Sequence, residues 1–327
     1  MNFYLWLIFI SFAVYCFLLP LFRKISLKHG ILLKDKVSLV GGPLLAVIFI
    51  TVGFFALLAS AGVSPQILGI FGASLIMLVF GILDDCRELS VAGKFLLQIV
   101  ACSALIIFGV RTRIVGLGEP LNILVTLLWT LGITNAFNHL DVMDGVAGVS
   151  GAVIASAFFV ISLVNGNIPV AILSACLFAV ISGFLVFNFP PARVYLGNAG
   201  SHFLGFVFAS LAMLISYAPL ERKVALLTPI LILGFPVYDT LFLILARLVR
   251  NKVPFRKSND HLVLRLMFLG WGKRKIALVI LFWNFIFFCF ALIVGYSSNL
   301  LGAAAVCFIV LASLITTKQI GKIAVND

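Results

Sequence analysis

Charge is what this sequence has least of. Only 10% of its 327 residues are Asp, Glu, Lys or Arg, and acidic side chains number 11. A soluble domain carries about a quarter, so a conventional water-exposed surface is excluded. The six cysteines, Cys16, Cys86, Cys102, Cys176, Cys289 and Cys307, are scattered without a CxxC pair. That excludes a thiol-based metal ribbon and a disulfide framework, and they read as small core hydrophobes. No stacking platform or nucleic-acid motif accompanies the net charge of +12. Nucleic acid is therefore not an expected partner, and positive-inside bias with anionic lipid headgroups accounts for the charge.

Apolar residues are what is there: 63% of the chain, with a mean hydropathy of +1.24. Long apolar runs alternate with short polar breaks, and a helix of roughly 20 apolar residues spans a bilayer. The pattern predicts an all-α polytopic membrane protein, one integral-membrane domain over 1–327. Its eleven predicted spans are roughly 3–22, 39–61, 67–83, 94–110, 120–137, 146–164, 168–188, 202–218, 224–249, 276–295 and 299–316. No small-residue cleavage pattern follows the first, and Arg23 and Lys24 do, so it reads as a retained helix. With eleven spans, nineteen of the 23 Lys and Arg fall on one side; only Arg111, Arg113, Arg222 and Lys223 fall on the other. The basic side is expected to be cytoplasmic, which puts the N-terminus outside and the C-terminus inside.

Acidic residues play little part in that rule, yet eight of them cluster near span ends on the basic side: Asp35, Asp84, Asp85, Glu88, Asp141, Asp144, Asp239 and Asp260. Charge at membrane depth is costly and marks function. Asp84 and Asp85 are adjacent in GILDDCRELSVAGKFLLQ. Neighbouring carboxylates repel, so one holds a proton or a cation sits nearby; a solvated helix end is the bland alternative. Lys94 opens the next span and reads equally as a snorkelling lysine.

In NAFNHLDVMDGVAG, Asn135, Asn138, Asp141 and Asp144 recur every third residue. If the helix continues through them they form one polar stripe. Carboxylate and amide oxygens suit a hard cation such as Mg²⁺, completed by substrate phosphates. In FNFPPARVYLGNAGSHFLGF, the prolines stop a helix, and Gly197, Gly200 and Ser201 precede the next one. Such glycines let backbone N–H groups approach a phosphate. The last polar segment, 250–275, holds Asp260, His261, Arg265 and the run GKRK, the last explained by anionic lipid. Asp239 lies inside an apolar span. Carboxylates and amides for a metal, with lysines and arginines for phosphate, suggest phosphoryl transfer at a membrane surface. A transporter would hold its ionisable residues at mid-membrane, where only Asp239 is expected.

Together these stretches resemble the polyprenyl-phosphate N-acetylhexosamine-1-phosphate transferases. That family includes the phospho-N-acetylmuramoyl-pentapeptide transferase and UDP-GlcNAc:undecaprenyl-phosphate GlcNAc-1-phosphate transferase types, within glycosyltransferase family 4. The resemblance runs from about residue 81 to 266. Asp84, Asp85, Lys94 and Gln98 match its aspartate pair and the Lys and Gln that follow. Asn135, Asn138, Asp141, Asp144 and Gly145 match NxxNxxDGxDG. Asn188, Phe189, Pro191, Ala192, Gly197, Gly200 and Ser201 match NFxPAxxFxGDxGS. Pro236, Asp239, Arg247, Pro254, Phe255, Asp260, His261, Arg265 and Leu266 match the last loop.

The resemblance implies a UDP-sugar donor, a polyprenyl phosphate acceptor, Mg²⁺, a plasma-membrane location, a cytoplasmic site in cell-envelope polysaccharide synthesis, and possible homodimers. It makes Asp84, Asp85, Lys94, Asp141 and Asp144 catalytic. Asn138 and Asn198 become metal contacts, and Asn135, Asn138, Gly197, Ser201, Asp239, His261 and Arg265 substrate-binding, with His261 and Arg265 facing the sugar. Four departures stand out. Asn198 replaces an aspartate, Val142 replaces a glycine, Val263 and Leu264 replace two histidines of HxHH, and KDKVSLVGG lacks the early Pro-Arg. They leave a second reading open: a catalytically impaired homologue that binds lipid phosphate or nucleotide sugar, or a regulatory membrane partner.

Overall fold

The computed structural model describes residues 2–215, 217, 221–248 and 260–323. Helix α1 (Asn2–His29) leads into a hairpin, β1 (Leu33–Lys34) and β2 (Val37–Ser38). There follow α2 (Gly41–Ser60), α3 (Pro65–Cys86), α4 (Val91–Ile107), α5 (Glu119–Leu140), α6 (Val146–Val164), α7 (Ile168–Asn188) and α8 (Gly197–Leu214). After a 3-10 turn (Lys223–Leu227) come α9 (Thr228–Ile232), α10 (Gly234–Leu248), α11 (Leu262–Phe268), α12 (Lys273–Tyr296) and α13 (Asn299–Gly321). The chain is an all-α polytopic membrane protein. Polar side chains start several helices: Ser64, Ser90, Asn167 and Ser298 each accept a backbone N–H from the first turn, which satisfies one of its orphan donors.

Among the described residues, nine helices are long and apolar enough to cross a membrane, or ten if the bent pair 223–232 and 234–248 counts as one. Two of the eleven expected spans therefore differ. The span expected at 94–110 is α4, 17 residues long, at the lower end of the roughly 17–25 that can cross a bilayer. The span expected at 224–249 is broken by a 79° bend. Pro236 offers no N–H to the Ile232 carbonyl, so the helical ladder lapses there. At the bend, Gly234 packs so close to Phe287 that a Cβ would lie 2.2 Å from its ring.

Lipid gives helices no hydrophobic reason to associate, so close packing of small residues and buried polar bonds do that work. The innermost helix, α8, shows it on three sides. A Cβ on Gly42 of α2 would lie 2.4 Å from the Gly200 Cα. One on Gly81 of α3 would lie 2.4 Å from the Ala199 Cα. One on Gly205 would lie 2.8 Å from the Thr134 Cα of α5. Trp129 Nε1 donates to the Ala209 carbonyl (3.1 Å), tying α5 to α8 again. Further out, Asn284 of α12 donates to Ser150 Oγ of α6 (3.0 Å). Large apolar side chains on the periphery, such as Phe17 and Leu300, stay exposed, as lipid-facing positions should.

The hairpin turns tightly. Leu33 pairs Ser38 and Lys34 pairs Val37, so Asp35 and Lys36 form a two-residue turn. Both have positive φ (50° and 65°), the requirement of a type I′ turn, met here without glycine. The Ser38 carbonyl accepts the Tyr195 N–H (2.9 Å), so the hairpin docks beside the loop that starts α8.

Gly81→Ala should force α3 and α8 apart. Overpacking of this kind costs about 1–3 kcal/mol, expected as a lowered thermal midpoint of the purified protein. Gly72→Ala, on the same helix with open space around it, should leave the midpoint unchanged; an equal loss in both would remove the close-approach account.

Candidate active site

The polar stretches meet where α3, α5, α7, α8 and α12 begin or end. At the end of α3 the two aspartates part company. Asp84 is buried; its Oδ2 pairs with Lys94 Nζ (2.7 Å) and its Oδ1 accepts the Leu89 N–H (2.9 Å). The cation expected beside the pair is thus Lys94. Asp85 turns the other way. Its Oδ1 accepts the Asn198 N–H (2.8 Å) and its Oδ2 the Ala199 N–H (3.0 Å). A carboxylate at a helix N-terminus meets both the orphan donors and the positive end of the dipole.

This corrects the expectation for Gly197 and Ser201. They do not precede the helix but form its first turn, and the cradle expected for phosphate is filled by Asp85. Gly197 is needed there, since it has φ 71° and a Cβ would lie 2.7 Å from Asp85 Oδ2.

The expected stripe of Asn135, Asn138, Asp141 and Asp144 is half right. Helix α5 ends at Leu140 with Asp141 as C-cap, and Gly145 (φ 81°) turns the chain into α6. Asn135 makes a reciprocal amide pair with Gln98 (2.8 and 3.2 Å) and also donates to the Leu131 carbonyl. Its side chain is committed to joining α4 and α5, not open to substrate as expected. Asn138 Nδ2 donates to Asn198 Oδ1 (3.1 Å) and Ser201 Oγ (2.9 Å). The two expected metal contacts therefore touch each other. Asp144 Oδ2 accepts the Ala192 N–H (3.2 Å) and pairs with Lys273 Nζ (3.1 Å).

On the far side of α5, Asp239 is buried in α10. Its Oδ2 lies 3.0 Å from His261 Nδ1, and its Oδ1 accepts the Leu262 N–H (3.1 Å). Arg265 does not face the mouth as expected. It is wholly buried, paired with Asp260 Oδ1 (2.9 Å), and donates to the Gly321 and Ile323 carbonyls (3.1 and 2.7 Å) at the end of α13. Five fixed donors suit it to gathering carbonyls. Val263 is core. Of the last polar segment, Arg250, Lys252, Pro254, Phe255, Arg256 and Lys257 lie outside the described residues.

Three contributors escaped the sequence. Lys273 and Arg274 belong to the run assigned to lipid, yet one reaches Asp144 and the other donates to the Pro190 carbonyl (2.9 Å). Lys34, on the hairpin, lowers the proton affinity of Asp141 through its charge. The net result on Asp141 is upward: burial first, then the Asp85 charge, push its carboxyl up to about 7. Asp144 adds a smaller push in the same direction.

Oxygens from Asp141, Asn138 and Asn198 are hard donors of the kind Mg²⁺ takes when substrate phosphates complete its shell. Among the described residues no three His, Cys, Asp or Glu side chains group as a metal cage. The residues therefore fit a cation shared with a ligand, not one held by protein alone.

Comparison with known proteins decides the family. A relative from Bacillus subtilis (strain 168), described as a probable undecaprenyl-phosphate N-acetylglucosaminyl 1-phosphate transferase, is 30% identical over 299 residues. The alignment covers 85% of this chain and 81% of the relative. The chain belongs to glycosyl transferase family 4. The model of that family matches residues 67–216. A decaprenyl-phosphate N-acetylglucosaminephosphotransferase of Mycobacterium leprae is 29% identical over 268 residues, 73% of this chain and 67% of the relative. A phospho-N-acetylmuramoyl-pentapeptide-transferase of Shouchella clausii is 28% identical over 314 residues, 85% and 93%. The family match takes in Asp84, Asp85, Lys94, Asn138, Asp141, Asp144 and Asn198. It stops short of Asp239, His261 and Lys273, which join the site through the fold.

The Asp141 proton has a measurable sign. The folded, ligand-free state holds it up to about pH 7, whereas an ordinary carboxyl loses it near 3.8. The folded state therefore binds the extra proton between those values, and stability falls as pH rises through that window. The thermal midpoint of the ligand-free protein should drop from pH 5 to pH 7.5, and Asp141→Asn should flatten the profile. An unchanged slope in the variant would assign it to another group.

Proposed function

We propose that this chain transfers a sugar-1-phosphate of the N-acetylhexosamine type from a UDP-sugar to a polyprenyl phosphate, releasing UMP. The observation that carries this reading is the convergence, at the ends of separate helices, of the pairs Asp84–Lys94 and Asp144–Lys273 with Asp141, Asn138 and Asn198. Such a mouth has negative oxygens for a cation and ammonium groups for phosphate. Its relatives act on undecaprenyl and decaprenyl phosphates.

In the reaction a lipid phosphate oxygen attacks the β-phosphorus of the donor. The new P–O bond forms as the bond to the α–β bridging oxygen breaks, and that oxygen leaves on UMP. Positioning and charge neutralisation supply the rate. Asp141 and Asp144 position the nucleotide and diphosphate. Lys94, held by Asp84, stands ready for the charge that develops. Asp85 fixes the start of α8, and with it Asn198 and Ser201. Mg²⁺, when bound through Asp141, Asn138 and Asn198, would neutralise the diphosphate. The whole chain, 1–327, acts as one domain in the plasma membrane, with eleven spans, the N-terminus outside, the site on the cytoplasmic face, and a second copy as a possible partner.

One observation favours the second reading, an impaired homologue that binds without transfer. Asn198 carries no charge, and its oxygen is already engaged by Asn138. One charge-assisted contact is worth about 1.5–3 kcal/mol, a loss that weakens a metal site without abolishing it.

The test is purified protein with polyprenyl phosphate and a panel of UDP-sugars, with and without Mg²⁺, reading UMP and lipid-linked sugar. Asp144→Asn should abolish transfer in a protein that still folds. Asn198→Asp should shift the Mg²⁺ titration to lower concentration. A curve that does not move removes residue 198 as a metal contact. Silence of both proteins with every donor favours the impaired homologue.

Orientation has its own test. In a variant lacking the exposed Cys86 and Cys307, a cysteine at Lys223 should react with an impermeant maleimide added outside cells, and one at Lys28 should not. The reverse pattern would overturn the topology.

A further inference from the structure

The end of α5 away from the mouth carries a second group of charges. Helix α5 runs 22 residues from Glu119 to Leu140, roughly 33 Å at 1.5 Å per residue, so Glu119 and the Asp141 cap lie at opposite membrane surfaces. The connection from α4, residues 108–118, folds back along the first two turns of α5. The Thr112 N–H donates to Thr126 Oγ1 (3.0 Å), and Thr112 Oγ1 donates to the Asn122 carbonyl (2.8 Å). Asn122 Oδ1 accepts the Ile114 N–H (2.8 Å), and its Nδ2 donates to the Leu117 carbonyl (2.8 Å). Asn122 and Thr126 are buried, so the connection is pinned from within.

The residues on either side of Thr112 line a cavity of about 260 Å³, with Thr112, Ile114, Glu119 and Asn122 as its other walls. Arg111 Nη1 pairs with Glu119 Oε1, and those two charges offset each other. Arg113 has no ion-pair partner among the described residues. The cavity therefore keeps one positive charge, Arg111 and Arg113 against Glu119. Basic residues are scarce on this surface, as positive-inside bias requires, yet two of them converge here. The volume falls below the roughly 300–1,000 Å³ of pockets that enclose drug-sized ligands, so it suits a small charged group.

We propose that this cavity binds the phosphodiester headgroup of an anionic phospholipid, in the leaflet opposite the active site. The single negative charge of a phosphodiester matches the single positive charge of the cavity. Guanidinium groups meet phosphate oxygens with two donors at once, and Arg111 keeps donors beyond the one spent on Glu119. The adjoining Ile107, Val115 and Leu121 are exposed, an apolar surface that acyl chains cover and a free phosphate would not use. Because the connection is already hydrogen-bonded to α5, binding orders little of the chain. The site is independent of the transferase reading; on the proposed orientation its leaflet is the outer one.

Arginine labelling tests this residue by residue. The full-length protein is placed in nanodiscs of phosphatidylcholine, of phosphatidylcholine with phosphatidylglycerol, or of phosphatidylcholine with inorganic phosphate in the buffer. Brief treatment with phenylglyoxal is then read by mass spectrometry. Arg113 should label in the first and third and be protected in the second. Arg87, exposed at the other surface, reports any general effect of an anionic bilayer. An Arg113 that never labels, that labels alike in all three, or that is protected no more than Arg87 overturns the proposal. Equal protection by inorganic phosphate overturns the lipid assignment and makes the cavity a site for phosphoryl groups from solution.

Lipid retention in native mass spectrometry provides the second arm. Arg113→Ala should hold phosphatidylglycerol roughly tenfold less tightly, as loss of one hydrogen bond between charged groups does, with the thermal midpoint in phosphatidylcholine unchanged. Arg113→Lys, which keeps the charge, should recover part of that loss. Lys275→Ala removes a cation from the other surface, where Lys275 stacks on Trp271, and so measures what any one surface charge contributes. A loss in Arg113→Ala no greater than in Lys275→Ala would reduce the cavity to diffuse attraction and overturn the site.

Discussion

The site depends on one contact: the Asp85 carboxylate closing over the first turn of α8. Two backbone N–H groups that would otherwise be orphans in a poorly hydrated setting are satisfied by one side chain from α3. The contact forms only because α3 and α8 meet at Gly81 and Ala199 without a side chain between them. Everything presented by the start of α8, Asn198 and Ser201 included, inherits its position from that closure. Asn138 then bridges to both from α5, so three helices share one small polar junction.

Charge around this junction is balanced in pairs. Asp84 has Lys94, Asp144 has Lys273, and Asp85 has the helix N-terminus. Asp141 is left with weaker compensation, and burial beside Asp85 raises its proton affinity. The ligand-free mouth is therefore close to neutral although rich in ionisable groups. On the proposed reading, a nucleotide diphosphate carrying a cation would suit such a mouth, its phosphates competing for the ammonium groups and the cation taking the carboxylates.

Composition made the membrane class legible, because a chain with so few charges has no other solvent to fold in. The carboxylates at Asp84, Asp85, Asp141 and Asp144 were legible too, as costly residues at span ends. Their partners were not. Lys94 is 10 residues from Asp84, but Asn198 is 113 from Asp85 and Lys273 is 129 from Asp144. Hydropathy and spacing carry no information about such pairings. The run containing Lys273 looked like a lipid-facing patch because composition cannot tell a lysine that snorkels from one that turns inward. Arg265 misled for the opposite reason: its motif neighbour His261 meets Asp239 of α10, while its own guanidinium ties down the last turn of α13. The break before α10 was hidden by uniformly apolar sequence, with Gly234 and Pro236 as its only sign.

The glycine contacts around α8 have a further consequence. Gly42 against Gly200, Gly81 against Ala199 and Gly205 against Thr134 act as close contacts with three different neighbours, at two heights along α8. A slide of α8 along its axis, or a rotation by one residue, would bring a larger side chain against at least one flat face. The helix therefore has one seating and no graded series of nearby ones. Adaptation to differently sized donors cannot come from drift of this helix. It must come from what lies outside these contacts: the hairpin carrying Lys34, the turn at Asp141–Gly145, and the start of α12.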